Sequence, residues 1–152
     1  MSAQLMKNIK DRQKPNDRIY TPPAVVDIML KYVEEGETTL DPCRGQGAFH
    51  NKLEGDWCEI DEGKDFFEYN SKVDTIIGNP PYSILSKWLD HSYTIAQKKI
   101  IYVIGMYSLT PIRLERASNK GFNLTHLILT KIPSWFQRSY VIVLEKIPNK
   151  SR

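Results

Sequence analysis

Four consecutive residues, Asn79-Pro80-Pro81-Tyr82, place an amide, two rigid prolines and an aromatic ring directly after the apolar run 73–78. Proline has no N–H and a fixed φ, so the pair holds the neighbouring carbonyls in set directions. The Asn79 side-chain oxygen and the Pro80 carbonyl could accept the two hydrogens of an amino group, while Tyr82 stacks on its planar carrier. The pattern predicts a buried strand followed by a ligand-binding loop, as at the carboxyl ends of parallel strands. A Pro-rich turn with a packing tyrosine is the alternative.

A second segment, residues 39–49, predicts a short strand, an acid at its end and a Gly-rich turn that opens a helix. Gly45 and Gly47 permit a positive φ and let a ligand approach the backbone closely. A carboxylate at Asp41 would suit a cationic or amine-bearing ligand. His50 stands where the dinucleotide fingerprint needs a third glycine, so a nicotinamide cofactor is not favoured. An ordinary Gly-rich turn between strand and helix is the alternative here.

Taken together, the two segments resemble the S-adenosylmethionine-dependent amino-methyltransferases, particularly the DNA N6-adenine enzymes. The family's glycine loop, Asp-Pro-x-x-Gly-x-Gly-x-Phe, is matched by Asp41, Pro42, Gly45, Gly47 and Phe49. Its catalytic loop, Asn-Pro-Pro-Tyr, is matched by Asn79, Pro80, Pro81 and Tyr82. A third element, an aromatic-Thr-Pro segment that opens a helix, is matched by Tyr20, Thr21 and Pro22. The resemblance runs from about Tyr20 to Lys146.

This resemblance implies an α/β fold of the class I methyltransferase (Rossmann-like) type. Such a fold has a mostly parallel sheet flanked by helices and a C-terminal antiparallel hairpin. It also implies S-adenosylmethionine as cofactor, bound by Tyr20, Thr21, Asp41, Pro42, Gly45, Gly47, Glu59, Asp65 and Phe66.

Three acids at or after the end of the second predicted strand bear on the cofactor. A ribose diol is best held by a carboxylate that accepts two hydroxyl hydrogen bonds, and Glu59 is the first candidate, with Asp61 next. Asp65 resembles the residue that accepts from the adenine amino group of the cofactor, with Phe66 against the ring. The alternative is that these acids lie on a surface loop.

The implied reaction is methylation of the exocyclic N6 of adenine in DNA, as a site-specific or low-specificity adenine methyltransferase. A base in a duplex must first be flipped out, and stacking on Tyr82 would hold it. In resembling enzymes an aromatic residue from the final hairpin packs on the other face of the base. Trp135 or Phe136 could do so here, with Arg138 on a phosphate, although aromatic hairpin tips also pack on their own sheet.

The elements that must position these loops alternate between helix and strand. Thr21 is expected to cap a helix from Pro22 to Glu35, and a later hairpin pairs 125–130 with 140–145. Other helices are predicted at 48–53, 85–96 and 111–118, and other strands at 38–40, 56–60, 73–77 and 99–105. The link between the second and third strands is too short for a full crossover helix. We expect a basic, flexible arm (1–18), a catalytic domain (19–147) and a polar tail (148–152).

Composition agrees with a single catalytic domain. A chain of 152 residues can bury a real core, and 41% apolar and 26% charged residues are ordinary for a globular protein. The net charge of +3 permits a polyanionic partner. The two cysteines match no metal-ligand spacing, so no metal is expected and the thiols are expected to be reduced. No apolar run predicts a membrane span or signal peptide, which favours a cytoplasmic protein, or a nuclear one in a eukaryote.

Little sequence follows residue 145, and base readout needs an element that enters a groove. A protein partner or a second copy of the chain could supply that element; otherwise specificity is minimal or the substrate is not duplex DNA. RNA adenine and a protein glutamine amide remain alternative substrates, since both present an NH2 beside a planar group. A non-catalytic, methyltransferase-like subunit of a larger complex is the remaining alternative.

Overall fold

The apolar runs of the sequence form one mixed sheet. The computed structural model describes residues 21–45, 47–49, 52–130 and 139–148. Within these, the strands are β1 (Thr39–Asp41), β2 (Asp56–Trp57), β3 (Val73–Gly78), β4 (Ala96–Gly105), β5 (Phe122–Thr130) and β6 (Ser139–Lys146). Their order is β2-β1-β3-β4-β6-β5. The first four strands are parallel, whereas β6 runs antiparallel to both β4 and β5. The predicted mostly parallel sheet with a C-terminal antiparallel hairpin is confirmed.

Helices cover both faces of this sheet: α1 (Pro23–Leu30) on one, and α2 (Leu85–Ile95) and α3 (Pro111–Asn119) on the other. Successive side chains of a strand point to opposite faces, and β4 follows this rule. Its even-numbered residues Ile100, Tyr102 and Ile104 join the cluster of α2 and α3, and its odd-numbered residues Ile101 and Val103 join that of α1. The central strand is therefore buried on both sides, as its apolar run predicts.

The N-terminal helix differs from its prediction at both ends. Pro22, in extended backbone, is the N-cap, and no side chain of the described residues caps the helix, so the predicted Thr21 cap is wrong. The helix ends at Leu30, well before Glu35, because the following N–H groups bond to carbonyls three residues back. The carbonyl of Tyr32 instead accepts a hydrogen bond from Lys99 Nζ at 2.7 Å, which ties this turn to β4.

The region between β1 and β3 also differs in detail. β1 begins and ends one residue later than predicted, so that Asp41 is its last residue. β2 ends at Trp57 and does not reach Ile60, because the Glu59 side chain accepts from the Asp61 N–H and starts the 3-10 helix Ile60–Glu62. A second 3-10 helix, Phe66–Glu68, completes a link without the crossover helix. The predicted helix 48–53 lies partly outside the described residues, and Ala48 and Phe49 lie in turns.

The remaining predicted elements match the structure within three residues at each end. None of the described helices is long and apolar enough to cross a lipid bilayer. The predicted arm 1–18 and most of the tail lie outside the described residues.

Candidate active site

The glycine loop after β1 and the Asn-Pro-Pro-Tyr loop after β3 are in contact. β1 and β3 are parallel neighbours with Leu40 opposite Ile76, so both loops leave the same edge of the sheet. Gly78, the last residue of β3, lets them approach: a Cβ added there would lie 3.1 Å from Pro42 Cδ and 3.2 Å from Asp41 Oδ1. The Cys43 thiol donates a hydrogen bond to the Asn79 carbonyl at 2.9 Å. Two segments 36 residues apart thus form one site.

Backbone conformation confirms the need for glycine in the first loop. Gly45 has φ of +56° and Gly47 has φ of +87°, in the left-handed region that other residues rarely adopt. Asp41 is 3% exposed, and its Oδ1 accepts from the Cys43 N–H at 3.2 Å. The Gly47 N–H returns to the Arg44 carbonyl at 2.8 Å. The loop is therefore a closed turn with a buried carboxylate at its base.

Glu59 joins this turn to the segment after β2. Its Oε1 accepts from the Gly45 N–H at 2.9 Å, and its Oε2 accepts from the Asp61 N–H at 3.0 Å. Each carboxylate oxygen can accept a further hydrogen bond, so the group can also receive hydroxyl donors. Asp61, the second candidate, is exposed.

Asp65 is a buried acid with one unsatisfied oxygen. It is 6% exposed, and its Oδ1 accepts from the Phe67 N–H at 3.0 Å. Its Oδ2 is buried and has no hydrogen-bond partner in the part of the chain that the structure describes. Burial raises the pKa of the Asp65 carboxyl above its usual value. Because buried polar atoms are nearly always hydrogen-bonded, this oxygen fits a ligand donor such as an amino group.

Phe66, the neighbour of Asp65, is 1% exposed. Its ring lies 4.6 Å from that of Trp88 and 4.7 Å from that of His91, centroid to centroid. The side chain belongs to the core, and its contact with a cofactor ring stays a prediction.

In the second loop, Pro80 and Pro81 are buried and Asn79 is half-buried. Tyr82 begins a 3-10 helix, Tyr82–Ile84, that leads directly into α2. Its hydroxyl donates to the Val103 carbonyl of β4 at 3.3 Å, which sets the direction of the ring. The amide and the aromatic ring of the motif are thus held by buried prolines and by the central strand. That Tyr82 stacks on a substrate stays a prediction.

Four of the predicted site residues, Tyr20, Trp135, Phe136 and Arg138, lie outside the described residues. Thr21 is described and is buried immediately before Pro22 and α1. The functional roles of all five stay predictions.

Two residues to which the sequence motifs assign no role, Gly78 and Cys43, help to form the site. A glycine at the end of an apolar strand, just before Asn79, was a signal for close backbone approach. Cys43 gave no such signal, because its role depends on the pairing of β1 with β3. Burial raises the pKa of the Cys43 thiol, so it stays protonated and can donate its hydrogen.

Comparisons with known proteins agree with this architecture. No family model and no curated protein matches the chain. A solved structure of a proposed RNA methyltransferase from Pyrococcus horikoshii is 20% identical, with a TM-score of 0.65 over 86% of each chain. A methyltransferase from Pyrococcus furiosus is 18% identical, with a TM-score of 0.64 over 83% of each chain.

A third solved structure is magnesium protoporphyrin IX methyltransferase from Synechocystis PCC 6803, determined with bound S-adenosylmethionine. It is 15% identical, with a TM-score of 0.63 over 82% of this chain and 77% of the other. Sequence identities this low are evidence for a shared fold and for nothing more. The chain has the class I methyltransferase fold.

Proposed function

We propose that this chain transfers a methyl group from S-adenosylmethionine to the exocyclic N6 of adenine in DNA. One observation carries the proposal: the Asp41 turn and the Asn79 loop touch through Gly78 and through the Cys43 thiol. A methyl donor held by the first loop and an amine held by the second would therefore be neighbours. Such placement can contribute about 7–11 kcal/mol to lowering a barrier.

The residues around the Asp41 turn fit the proposed cofactor. Glu59 has acceptor capacity for a ribose diol, and the buried Oδ2 of Asp65 fits the adenine amino group. The positive φ of Gly45 and Gly47 opens the turn to close approach, and the carboxylate of Asp41 favours a cationic ligand. When bound, S-adenosylmethionine supplies a methyl group attached to a positively charged sulfur.

The second loop fits a planar amine. The lone pair of the adenine amino nitrogen is delocalised into the ring, so that nitrogen is a poor nucleophile. The Asn79 side-chain oxygen and the Pro80 carbonyl would each accept one N–H and favour a pyramidal nitrogen with its lone pair free. The prolines keep both acceptors aimed without reorganisation, and removing one such preorganised group costs about 10²–10³ in rate.

One feature of the sequence supports adenine in DNA as the substrate. The Tyr20-Thr21-Pro22 element resembles the DNA group more than the RNA and glutamine enzymes. Flipping the base out of a duplex costs a few kcal/mol, and stacking on Tyr82 would return about 1–3 kcal/mol. We also propose that a protein partner or a second copy supplies target recognition.

RNA adenine is the second candidate substrate, since two acceptors and a ring would serve it equally and one structural neighbour is a proposed RNA methyltransferase. A glutamine amide would present the same NH2 group. In a non-catalytic subunit, by contrast, Asp41, Gly45, Gly47 and Asn79 would not need to stay together.

The test offers labelled S-adenosylmethionine to the purified protein with DNA, RNA and a glutamine-rich protein in parallel, followed by hydrolysis and identification of the products. We expect label in N6-methyldeoxyadenosine, and its loss in an Asn79→Ala control. Label confined to RNA would move the proposal to the second candidate. Label confined to protein, or absent although the cofactor binds, would contradict it.

A further inference from the structure

The loop after β4 carries an aromatic side chain that the fold does not use. Tyr107 is 88% exposed, and Ile112, in the first turn of α3, is 78% exposed. Both side chains are more exposed than any other large apolar side chain that the structure describes; the next most exposed is Leu127, at 48%. Neither residue contributes to the buried core clusters. Their side chains are therefore available to a ligand.

Tyr107 lies at the same edge of the sheet as the Asn79 loop. β3 and β4 are parallel neighbours, and Gly78 lies opposite Tyr102. β4 continues for three more residues, to Gly105, before the chain turns. At a rise of about 3.3 Å per residue, the end of β4 extends roughly 10 Å beyond that of β3. The Tyr107 loop therefore leaves the same edge of the sheet as the Asn79 loop, from the neighbouring strand.

The loop is fixed in position. The Ser108 N–H donates to the Gly105 carbonyl at 2.9 Å, and the Ser108 carbonyl accepts from Arg113 Nη1 at 2.7 Å. Arg113 Nη2 donates to Ser86 Oγ at 3.2 Å, on the helix that follows Tyr82. The Thr110 hydroxyl caps α3 by accepting from the Arg113 N–H at 3.2 Å. One guanidinium thus ties the Tyr107 loop to the helix that begins beside the catalytic loop.

The charge beside this loop suits an anionic partner. Arg113 forms no ion pair with an acid of the described residues, whereas Arg116 on the same helix is paired with Asp90. Lys87 is exposed and follows Ser86 directly. Arg113 gives one N–H to Ser108 and one to Ser86, and the remaining N–H groups of its guanidinium can meet a phosphate. An exposed ring beside positive charge is the combination that binds single-stranded nucleic acid.

We propose that Tyr107, Ile112 and Arg113 form a nucleotide platform that holds an unpaired nucleotide next to the target adenine. The proposal rests on the proposed function for the identity of the target. Tyr107 stacks on the neighbouring base, Ile112 supports its apolar edge, and Arg113 meets a phosphate. Stacking accepts any base, so the platform adds affinity for an opened strand and little sequence preference.

The test measures binding of a fluorescent single-stranded oligodeoxynucleotide with one adenine to the full chain, with S-adenosylhomocysteine present. Tyr107→Ala should bind about 5- to 140-fold more weakly, which corresponds to about 1–3 kcal/mol of stacking. Tyr107→Phe should bind as the wild type does, because its ring is retained. Leu127→Ala removes another exposed apolar side chain, on β5, and should have no effect. Thermal stability and cofactor affinity should be equal in all four proteins.

The inference is overturned if Tyr107→Ala binds the oligonucleotide within twofold of the wild type, or if the wild type binds none. It is also overturned if Tyr107→Ala weakens binding of a glutamine peptide and leaves the oligonucleotide unaffected. Because binding is measured without transfer, it separates two failures. If the protein methylates DNA but Tyr107→Ala binds the oligonucleotide as the wild type does, only the nucleotide platform is excluded. If binding depends on Tyr107 but no nucleic acid is methylated, only the proposed function is excluded.

Discussion

Replacing Asp65 by asparagine should stabilise the free protein and weaken cofactor binding at the same time. Asp65 is 6% exposed; one of its oxygens accepts from the Phe67 N–H and the other has no partner among the described residues. Asparagine keeps one oxygen for Phe67 and replaces the buried charge with a neutral NH2. The substitution therefore removes a destabilising group from the free protein, one that we assign to binding of the cofactor.

The expected gain in the free energy of unfolding is about 1 kcal/mol at neutral pH. Leaving a buried acceptor unsatisfied costs about 1–3 kcal/mol, and the new NH2 group, which also needs a partner, offsets part of the gain. The pH dependence has a definite sign. Burial raises the pKa of Asp65 above 3.8 in the folded state, so the folded protein binds this proton more tightly than the unfolded chain does.

Stability from the protonated carboxyl is thus fully present below pH 3.8 and is lost as the pH rises through the folded pKa. The advantage of Asp65→Asn over the wild type should grow across that interval and then stay constant. In the complex the NH2 group would meet the amino group of the cofactor, donor against donor. A loss of about 1–3 kcal/mol would weaken binding by about 5- to 140-fold.

The assay combines urea unfolding at several pH values with calorimetric titration of S-adenosylhomocysteine. Asp74→Asn is the matched control, because Asp74 Oδ2 also accepts from a backbone N–H, that of Thr38, but lies near the start of β3. The control should keep wild-type cofactor affinity. Wild-type affinity in Asp65→Asn would refute the assignment of Asp65 to the cofactor. A loss of stability at neutral pH would refute the reasoning from burial.

Three further predictions test the rest of the site. Asp41→Ala should abolish measurable binding of S-adenosylhomocysteine in calorimetry, whereas Asp74→Ala should retain it; binding by both would remove Asp41 from the site. Gly78→Ala places a methyl group 3.1 Å from Pro42 Cδ. It should lower the free energy of unfolding, measured in urea, by about 1–3 kcal/mol and slow methyl transfer. A wild-type transfer rate would show that the two loops need not touch. Tyr82→Phe removes the 3.3 Å hydrogen bond from the hydroxyl to β4 but keeps the ring, so its effect in steady-state kinetics should be mild. Tyr82→Ala should raise KM for nucleic acid, and equal KM values for the two variants would exclude stacking.

The sequence was most informative where one residue type meets a local requirement. Gly45 and Gly47 have the positive φ that their turn predicts, and the apolar run of β4 predicts a strand that is buried on both faces. The short link after β2 also predicted that no full crossover helix forms there. In these places the chain's own backbone and hydrophobic pattern decide the structure.

The sequence was less informative where tertiary contacts decide. The turn after α1 is tied to β4 by the Lys99 ammonium, which bonds to the Tyr32 carbonyl from 67 residues away. The end of β2 depends on the Glu59 side chain, which starts a 3-10 turn. The thiol of Cys43 acquires its partner only when β1 pairs with β3. Local propensity contains none of these contacts.

The central claim is that the oxygen of Asn79 acts on the substrate amine beside a cofactor held by the Asp41 turn. The most direct measurement is the single-turnover rate of methyl transfer to adenine by Asn79→Ala, with cofactor and nucleic acid both saturating. We expect a rate about 10²–10³-fold below that of the wild type, with unchanged affinity for S-adenosylhomocysteine. A wild-type rate in Asn79→Ala would contradict the claim.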